Sequence, residues 1–193
     1  IKRKLVYEQA VAECAKTLVG EDDLSSQLDQ VTKLLQHATN VSRVYLFQNF
    51  QDPFSGLCMR QIHETCANGI TPQIDNPALK HIPYKDGAPN VLQSLERNEP
   101  YSAIVADLME PEKCILESQN IMSILILPVF IHNQLWGFIG FDDCVNPRQW
   151  FDDEIALLSV TASAIGMAIQ RRKNERDLRE SSERLATVLN SMD

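Results

Sequence analysis

Chemistry in this chain would have to come from its acids, thiols and imidazoles. Asp142 and Asp143 form an acidic pair at the end of an apolar stretch. Clustered carboxylates can hold Mg²⁺ for phosphoryl transfer. Such a site also needs an acceptor Asp and a Lys on later strands, whereas only helical pattern follows residue 143. The pair is therefore expected to bond loop N–H groups or cap a turn. The cysteines, at 14, 58, 66, 114 and 144, are odd in number and contain no CxxC pair, which fits buried free thiols in a reducing compartment. Cys58 and Cys66 share one strand-like segment, where eight residues span roughly 26 Å, too far for a disulfide. His37, His63, His81 and His132 contain no HExxH. They read as structural or exposed residues, and no metal is expected.

The elements that must position these groups follow from periodicity. Ile1, Leu5, Val11, Cys14 and Leu18 fall at mostly helical intervals, and Gly20 stops that helix. A second helix starts near Asp22 and Asp23, with Leu24, Leu28, Val31, Leu34, Leu35 and Ala38 on one stripe. Residues 41–50 and 57–66 then read as two strands of a hairpin around Asp52-Pro53. Residues 67–90 hold four prolines and two glycines, an excursion long enough to be a lid or binding loop. Short helices over 91–97 and from Pro111 to Glu117 flank a short strand at 102–105. Ser123–Ile131 and Gln134–Asp142 are the clearest strands, joined at His132-Asn133. The first is apolar on both faces, so it is central, and Pro128 demands a bulge or an unpaired position there.

From Asp152 the pattern is helical. Ile155, Leu158, Ala162, Ile165 and Ile169 are spaced 3, 4, 3 and 4, as in a coiled coil. Leu178, Leu185 and Met192 continue at sevens, one position out of phase, which reads as a stutter. Residues 152–190 would extend roughly 58 Å. A helix leaving its domain with one apolar seam needs a partner, most simply its own copy. A parallel homodimer through Ile165, Ile169, Leu178 and Leu185 is expected.

At 193 residues the chain suits one domain with helical extensions. Its 18 Lys and Arg against 26 Asp and Glu leave a net charge of −8. That argues against a nucleic-acid or anionic-membrane partner. No apolar run approaches the ~20 residues of a membrane span, and no signal peptide is expected. A cytoplasmic location is expected. The opening Ile-Lys-Arg-Lys reads as a segment of something longer.

The stretch ILILPVFIHNQLWGFIGFDDC (124–144), then Trp150 and FDDEIALLSVTASAIGMAIQRR (151–172), resembles a GAF domain of the bacterial signalling branch. The resemblance implies an α+β GAF fold. A mostly antiparallel sheet of five or six strands would carry helices on both faces, with a long C-terminal signalling helix. It divides the chain into an N-terminal coupling helix (1–19), the GAF domain (20–172) and a helical linker (173–193). The tail 180–193 resembles the entry to a PAS domain.

The function implied is regulatory: a sensory module of a two-component or cyclic-di-GMP signalling protein. It would have no catalytic residue of its own, and the output domain of a histidine kinase or diguanylate cyclase would lie in the same chain. His63-Glu64-Thr65-Cys66 is unlike a kinase phosphoacceptor stretch. A small ligand would sit under the 67–90 excursion among Arg60, His63, Tyr101 and Trp136, unless the core is filled and the module is only a relay. No cofactor is named by the sequence. The Cys-His pair that attaches a bilin is missing, and Phe151 with Asp153-Glu154 is only a fragment of the cyclic-nucleotide motif. The contrasting reading is a thiol enzyme such as a free methionine sulfoxide reductase, acting through Cys66 or Cys114.

Overall fold

The structure, a computed structural model, describes residues 2–190. Ile1 and Met192, both assigned above to helical stripes, lie outside the described residues. The chain opens with α1 (Lys2–Val19) and α2 (Leu24–Thr39). Asp23 caps α2 by accepting the Ser26 N–H at 3.1 Å, and Asn40 ends it in the left-handed conformation at φ 53°. Next come β1 (Arg43–Asp52) and β2 (Gly56–Cys66). The excursion is not structureless: it contains β3 (Ile82–Pro83), α3 (Tyr84–Gly87) and the start of α4 (Pro89–Glu96). Then follow β4 (Tyr101–Ile104), α5 (Glu112–Glu117), β5 (Ser123–Ile131), β6 (Gln134–Asp143) and α6 (Asp152–Asn190). The six strands form one antiparallel sheet in the order β3-β2-β1-β6-β5-β4.

Each face of the sheet carries its own core, as the two-sided apolar character of β5 requires. Leu125, Leu127 and Val129 pack against Leu28, Val31 and Leu35 of α2 and Leu158, Ala162 and Ile165 of α6. Ile124 and Ile126 point the other way, toward the excursion and α4. This corrects the expected dimer stripe. Ile165 is 0% exposed and Ile169 packs against the same core. A 3-4-3-4 spacing marks any helix with one apolar face, and here that face is covered by the chain's own sheet. Beyond Ile169 α6 runs past the sheet, and Leu178 (73%) and Leu185 (63%) are exposed.

Basic side chains tie the terminal helices together. The Arg171 guanidinium donates to the Leu18 carbonyl (2.8 Å), and that of Arg172 to the Asp22 carbonyl (2.5 Å). The Arg171 cation thus meets the carbonyl end of α1, and Arg172 the turn that leads into α2. At the other end of the domain Arg148 donates to the Thr39 carbonyl (2.7 Å), the Tyr7 hydroxyl (2.6 Å) and Glu154 (3.2 Å).

Two β-bulges then decide which side chains face which core. Between β1 and β2, Leu46 pairs with His63 and Phe47 with Gln61, so Ile62 is the extra residue. Between β5 and β6, Val129 pairs with Gly137 and Phe130 with Leu135, so Trp136 is extra. The second irregularity falls at Val129/Phe130, just past Pro128, which itself pairs with Phe138. Each added residue reverses the alternation of its strand beyond it.

Candidate functional site

Arg43, Tyr45 and Phe47 lie on the excursion side of β1, opposite Asp142, Gly140 and Phe138 of β6. Gly140 makes room for Tyr45: a Cβ there would sit 2.2 Å from the Tyr45 ring. Under the excursion, these strands and β2, α4 and α5 line a cavity of about 60 Å³. By the one-probe-sphere measure that is room for roughly four to six waters, or a molecule of a few heavy atoms. Phe47 and Phe138 stack with centroids 5.0 Å apart, and Tyr45 meets Phe47 edge-on at 5.6 Å. The remaining wall is mostly aliphatic, with Gln61, Glu64, Glu112, Gln119 and Asp142 as its polar members.

One end of the cavity is a buried charge cluster. Arg43 Nη1 lies 3.6 Å from Asp142 Oδ2, and Nε lies 4.0 Å from Glu64 Oε1; all three side chains are 2–3% exposed. Arg43 also donates to the Gln119 carbonyl (3.1 Å) and the Thr71 carbonyl (3.3 Å). Glu64 accepts the N–H groups of Gln73 (2.7 Å) and Ile74 (2.9 Å). The cluster thereby latches the start of the excursion to the middle of the sheet. Tyr45 donates its hydroxyl to Asp142 Oδ1 at 2.7 Å.

Burial pushes the Asp142 carboxyl up to about 7, with Glu64 adding to the rise; the Tyr45 hydrogen bond and Arg43 only partly oppose it. The folded state thus holds this proton more tightly than the unfolded chain, whose Asp titrates near ~3.9. The group's contribution to stability is full below ~4 and is lost as pH rises through about 7. In a ¹³C carboxyl NMR titration, one Asp resonance should inflect near pH 7 and vanish in Asp142→Asn. A single family of inflections near ~4 would refute the shift.

The acidic pair therefore splits its roles. Asp143 Oδ1 accepts the N–H groups of Val145 and Asn146, both at 3.0 Å, as expected of a turn cap. Asp142 instead belongs to the buried cluster. A signal for this was available in Arg43, a cation inside the apolar run VSRVYLF, which demands a buried partner.

None of the four residues expected to line a pocket reaches this cavity. Arg60 is exposed on β2, where it donates to Gln48 Oε1 (2.9 Å) and lies over the Phe50 ring. His63 Nδ1 lies 2.7 Å from Asp29 Oδ1 of α2, on the helical face. Trp136 packs into the helical core. Tyr101, on edge strand β4, packs at the rim of the excursion-side core. His63 and Trp136 were displaced by the bulges: strict alternation from Met59 and Gln61, or from Asp142 through Phe138, would have aimed both at the cavity. The residues found there instead are Gln61 and Glu64.

The thiols are poorly placed for nucleophilic chemistry. Burial pushes Cys14 and Cys66 up to about 12 and raises Cys58 and Cys144 as well, the reverse of an activated thiolate. Cys114 is exposed, and no cysteine lines the cavity. Among the described residues there is no cluster of three or more His, Cys, Asp or Glu able to hold a metal, and no helix long and apolar enough to cross a membrane.

Comparison with known proteins places this geometry in a family. The family model "GAF domain" matches residues 23–169. The methanogenesis regulatory histidine kinase FilI of Methanothrix harundinacea (strain 6Ac) is 38% identical over 169 residues, covering 88% of this chain and 19% of that protein. The circadian input-output histidine kinase CikA of Synechocystis sp. is 31% identical over 55 residues, 28% of this chain and 7% of that protein. The chain thus spans about a fifth or less of the curated relatives it matches. Among solved structures, the phycocyanobilin-bound GAF domain from a cyanobacterial phytochrome superposes with a TM-score of 0.73 at 17% identity, covering 88% of this chain and 96% of that one. A far-red absorbing dark-state structure with bound biliverdin gives 0.71 at 19% identity, covering 85% and 99%.

Proposed function

Since this chain belongs to the GAF domain family, we propose that it is a regulatory module of a histidine-kinase-type signalling protein that senses a small molecule in the cavity under the excursion. The observation that carries this reading is the cavity itself: apolar, and lined by a few convergent buried polar groups. A bilin, bound by the structural neighbours, is not supported. The cavity holds about 60 Å³ and no cysteine lines it, whereas sites for drug-sized ligands run to roughly 300–1,000 Å³. Catalysis by the chain itself is not part of the proposal, because burial disfavours the thiolate at four of the five cysteines. The acidic charge and free thiols favour the cytoplasm. Residues 1–19, 20–172 and 173–193 serve in this reading as coupling helix, sensor and linker. Native mass spectrometry with an absorption spectrum of the purified chain tests it. A small molecule retained by the protein supports sensing. A protein that carries none, and whose cavity amides respond to no small molecule, argues for a pure relay.

The route to the output is α6, read as the seam of a parallel homodimer. Once Ile165 and Ile169 are assigned to the core, the exposed apolar residues Val160, Met167, Leu178 and Leu185 fall into one 3-4 register with Asn174, and no stutter is needed. A single Asn within such a seam favours a defined two-stranded register. A ligand that shifts the cavity wall would reach this seam through the β5–α6 packing. Changing both Leu178 and Leu185 to Asp should weaken the dimer at least roughly 100-fold by sedimentation equilibrium, because four leucines leave a buried seam. Thermal stability of the dissociated domain, measured at concentrations below dimerisation, should not change, since neither residue is buried in its core. Wild-type protein that stays monomeric at tens of micromolar would refute the dimer.

A further inference from the structure

Glu112 is 3% exposed. Its Oε1 accepts the Asn90 N–H at 2.8 Å, but Oε2 is buried with no hydrogen-bond partner. Among the described residues Glu112 forms no ion pair, whereas Glu64 and Asp142 share Arg43. Gln61 is also 3% exposed, and its Oε1 too is buried and unpartnered. Lys80 donates to the Gln61 main-chain carbonyl at 3.2 Å, not to its side chain. These two oxygens, and Glu64 Oε1, which is likewise buried without a hydrogen-bond partner, belong to side chains lining the same cavity, whose other walls include the Tyr45, Phe47 and Phe138 rings.

Acceptors without donors, among them the Glu112 carboxyl group with no ion-pair partner, are costly to bury. Water can satisfy a hydrogen bond there, but it cannot neutralise the charge. A small cation bearing N–H groups does both, and aromatic faces attract the same cation. A neutral apolar guest would leave both oxygens orphaned, and an anion would meet Glu112 at close range.

We propose that the cavity takes a small organic ammonium ion, its N–H groups donating to Glu112 Oε2 and Gln61 Oε1 and its carbons lying against the Tyr45, Phe47 and Phe138 rings. The proposal rests on the reading of this cavity as the sensory site. Its size sets the class: an alkylammonium of a few heavy atoms suits a cavity of about 60 Å³.

Isothermal titration with ethylammonium chloride, ethanol and tetramethylammonium chloride, at matched ionic strength, tests it on the whole chain. Ethylammonium should bind saturably and at least tenfold more tightly than the other two, since ethanol lacks the charge and tetramethylammonium lacks N–H donors. Glu112→Gln keeps the shape and an acceptor for Asn90, and should weaken ethylammonium at least tenfold. Amide NMR of the wild-type protein should place the perturbed residues at Gln61, Glu112 and Phe138, which keeps the proposal testable if the variant folds poorly. Ethanol binding as tightly as ethylammonium, with Glu112→Gln neutral, would overturn the ammonium assignment while leaving a sensory cavity. No binding by any probe would also overturn it, and if the cavity amides then respond to no other small molecule the sensory reading falls as well.

Discussion

Arg43→Ala is expected to lower the unfolding free energy by about 3–5 kcal/mol. The guanidinium is 3% exposed and is the only cation within salt-bridge distance of Asp142 and Glu64 among the described residues. Removing it leaves two buried carboxyl groups without their counter-charge, and it deletes the bonds to the Thr71 and Gln119 carbonyls. Asp142 can escape part of the cost by staying protonated, since burial already pushes it to about 7. Glu64 cannot do so without weakening its grip on Gln73 and Ile74, so the excursion should loosen as the domain is destabilised. Urea unfolding measures the first effect, and hydrogen exchange at residues 71–74 the second. Neutralising all three, with Arg43→Met, Glu64→Gln and Asp142→Asn together, should recover most of the loss, because the cost lies in unpaired charge rather than lost volume. A loss under about 1 kcal/mol for Arg43→Ala would mean that the cluster is hydrated rather than buried.

Gly166→Ala is expected to cost at least about 2–3 kcal/mol, although alanine is the better helix former by about 1 kcal/mol. At this position α6 passes so close to β5 that a Cβ would lie 2.3 Å from the Phe130 carbonyl oxygen. That oxygen is backbone in a paired strand and has no rotamer to escape into. The helix must therefore move off the sheet, lifting Ala162, Ile165 and Ile169 from the core they fill. Thermal unfolding should show the loss, and in the full signalling protein the output should change as well, because the displaced element is the proposed route to it. Ser163→Ala, on the exposed side of the same helix, serves as the control and should change stability by less than about 0.5 kcal/mol. Gly166→Ala proving neutral or stabilising would mean that α6 is free to slide.

The elements were legible because each depends on local pattern. The apolar stripe of α2, the double-sided apolar run of β5 and the turn at His132-Asn133, where φ is 47° and 60°, need no knowledge of neighbours. The resemblance carried by residues 124–172 supplied the family, and with it a mostly antiparallel sheet of five or six strands. The acidic start of α6, Asp152, Asp153 and Glu154, was also legible as a helix N-terminus.

Facing and partnership were not legible. A 3-4-3-4 stripe looks the same whether a sheet or a second helix covers it, and only the position of the sheet's edge assigns Ile165 to the core and Leu178 to the exterior. A bulge adds one residue to one strand without any sequence signal as strong as the alternation it breaks. Ile62 and Trp136 are such residues, and they turn His63 and Trp136 toward the helices while Glu64 turns toward the cavity. Asp142 and Arg43, 99 positions apart, become partners only because β1 and β6 are neighbours in the sheet. The sequence by itself determined the family, the longer elements and the −8 charge of the chain. Strand register in three dimensions decided which of its polar side chains surround the cavity, because a one-residue slip in pairing reverses every side chain beyond it.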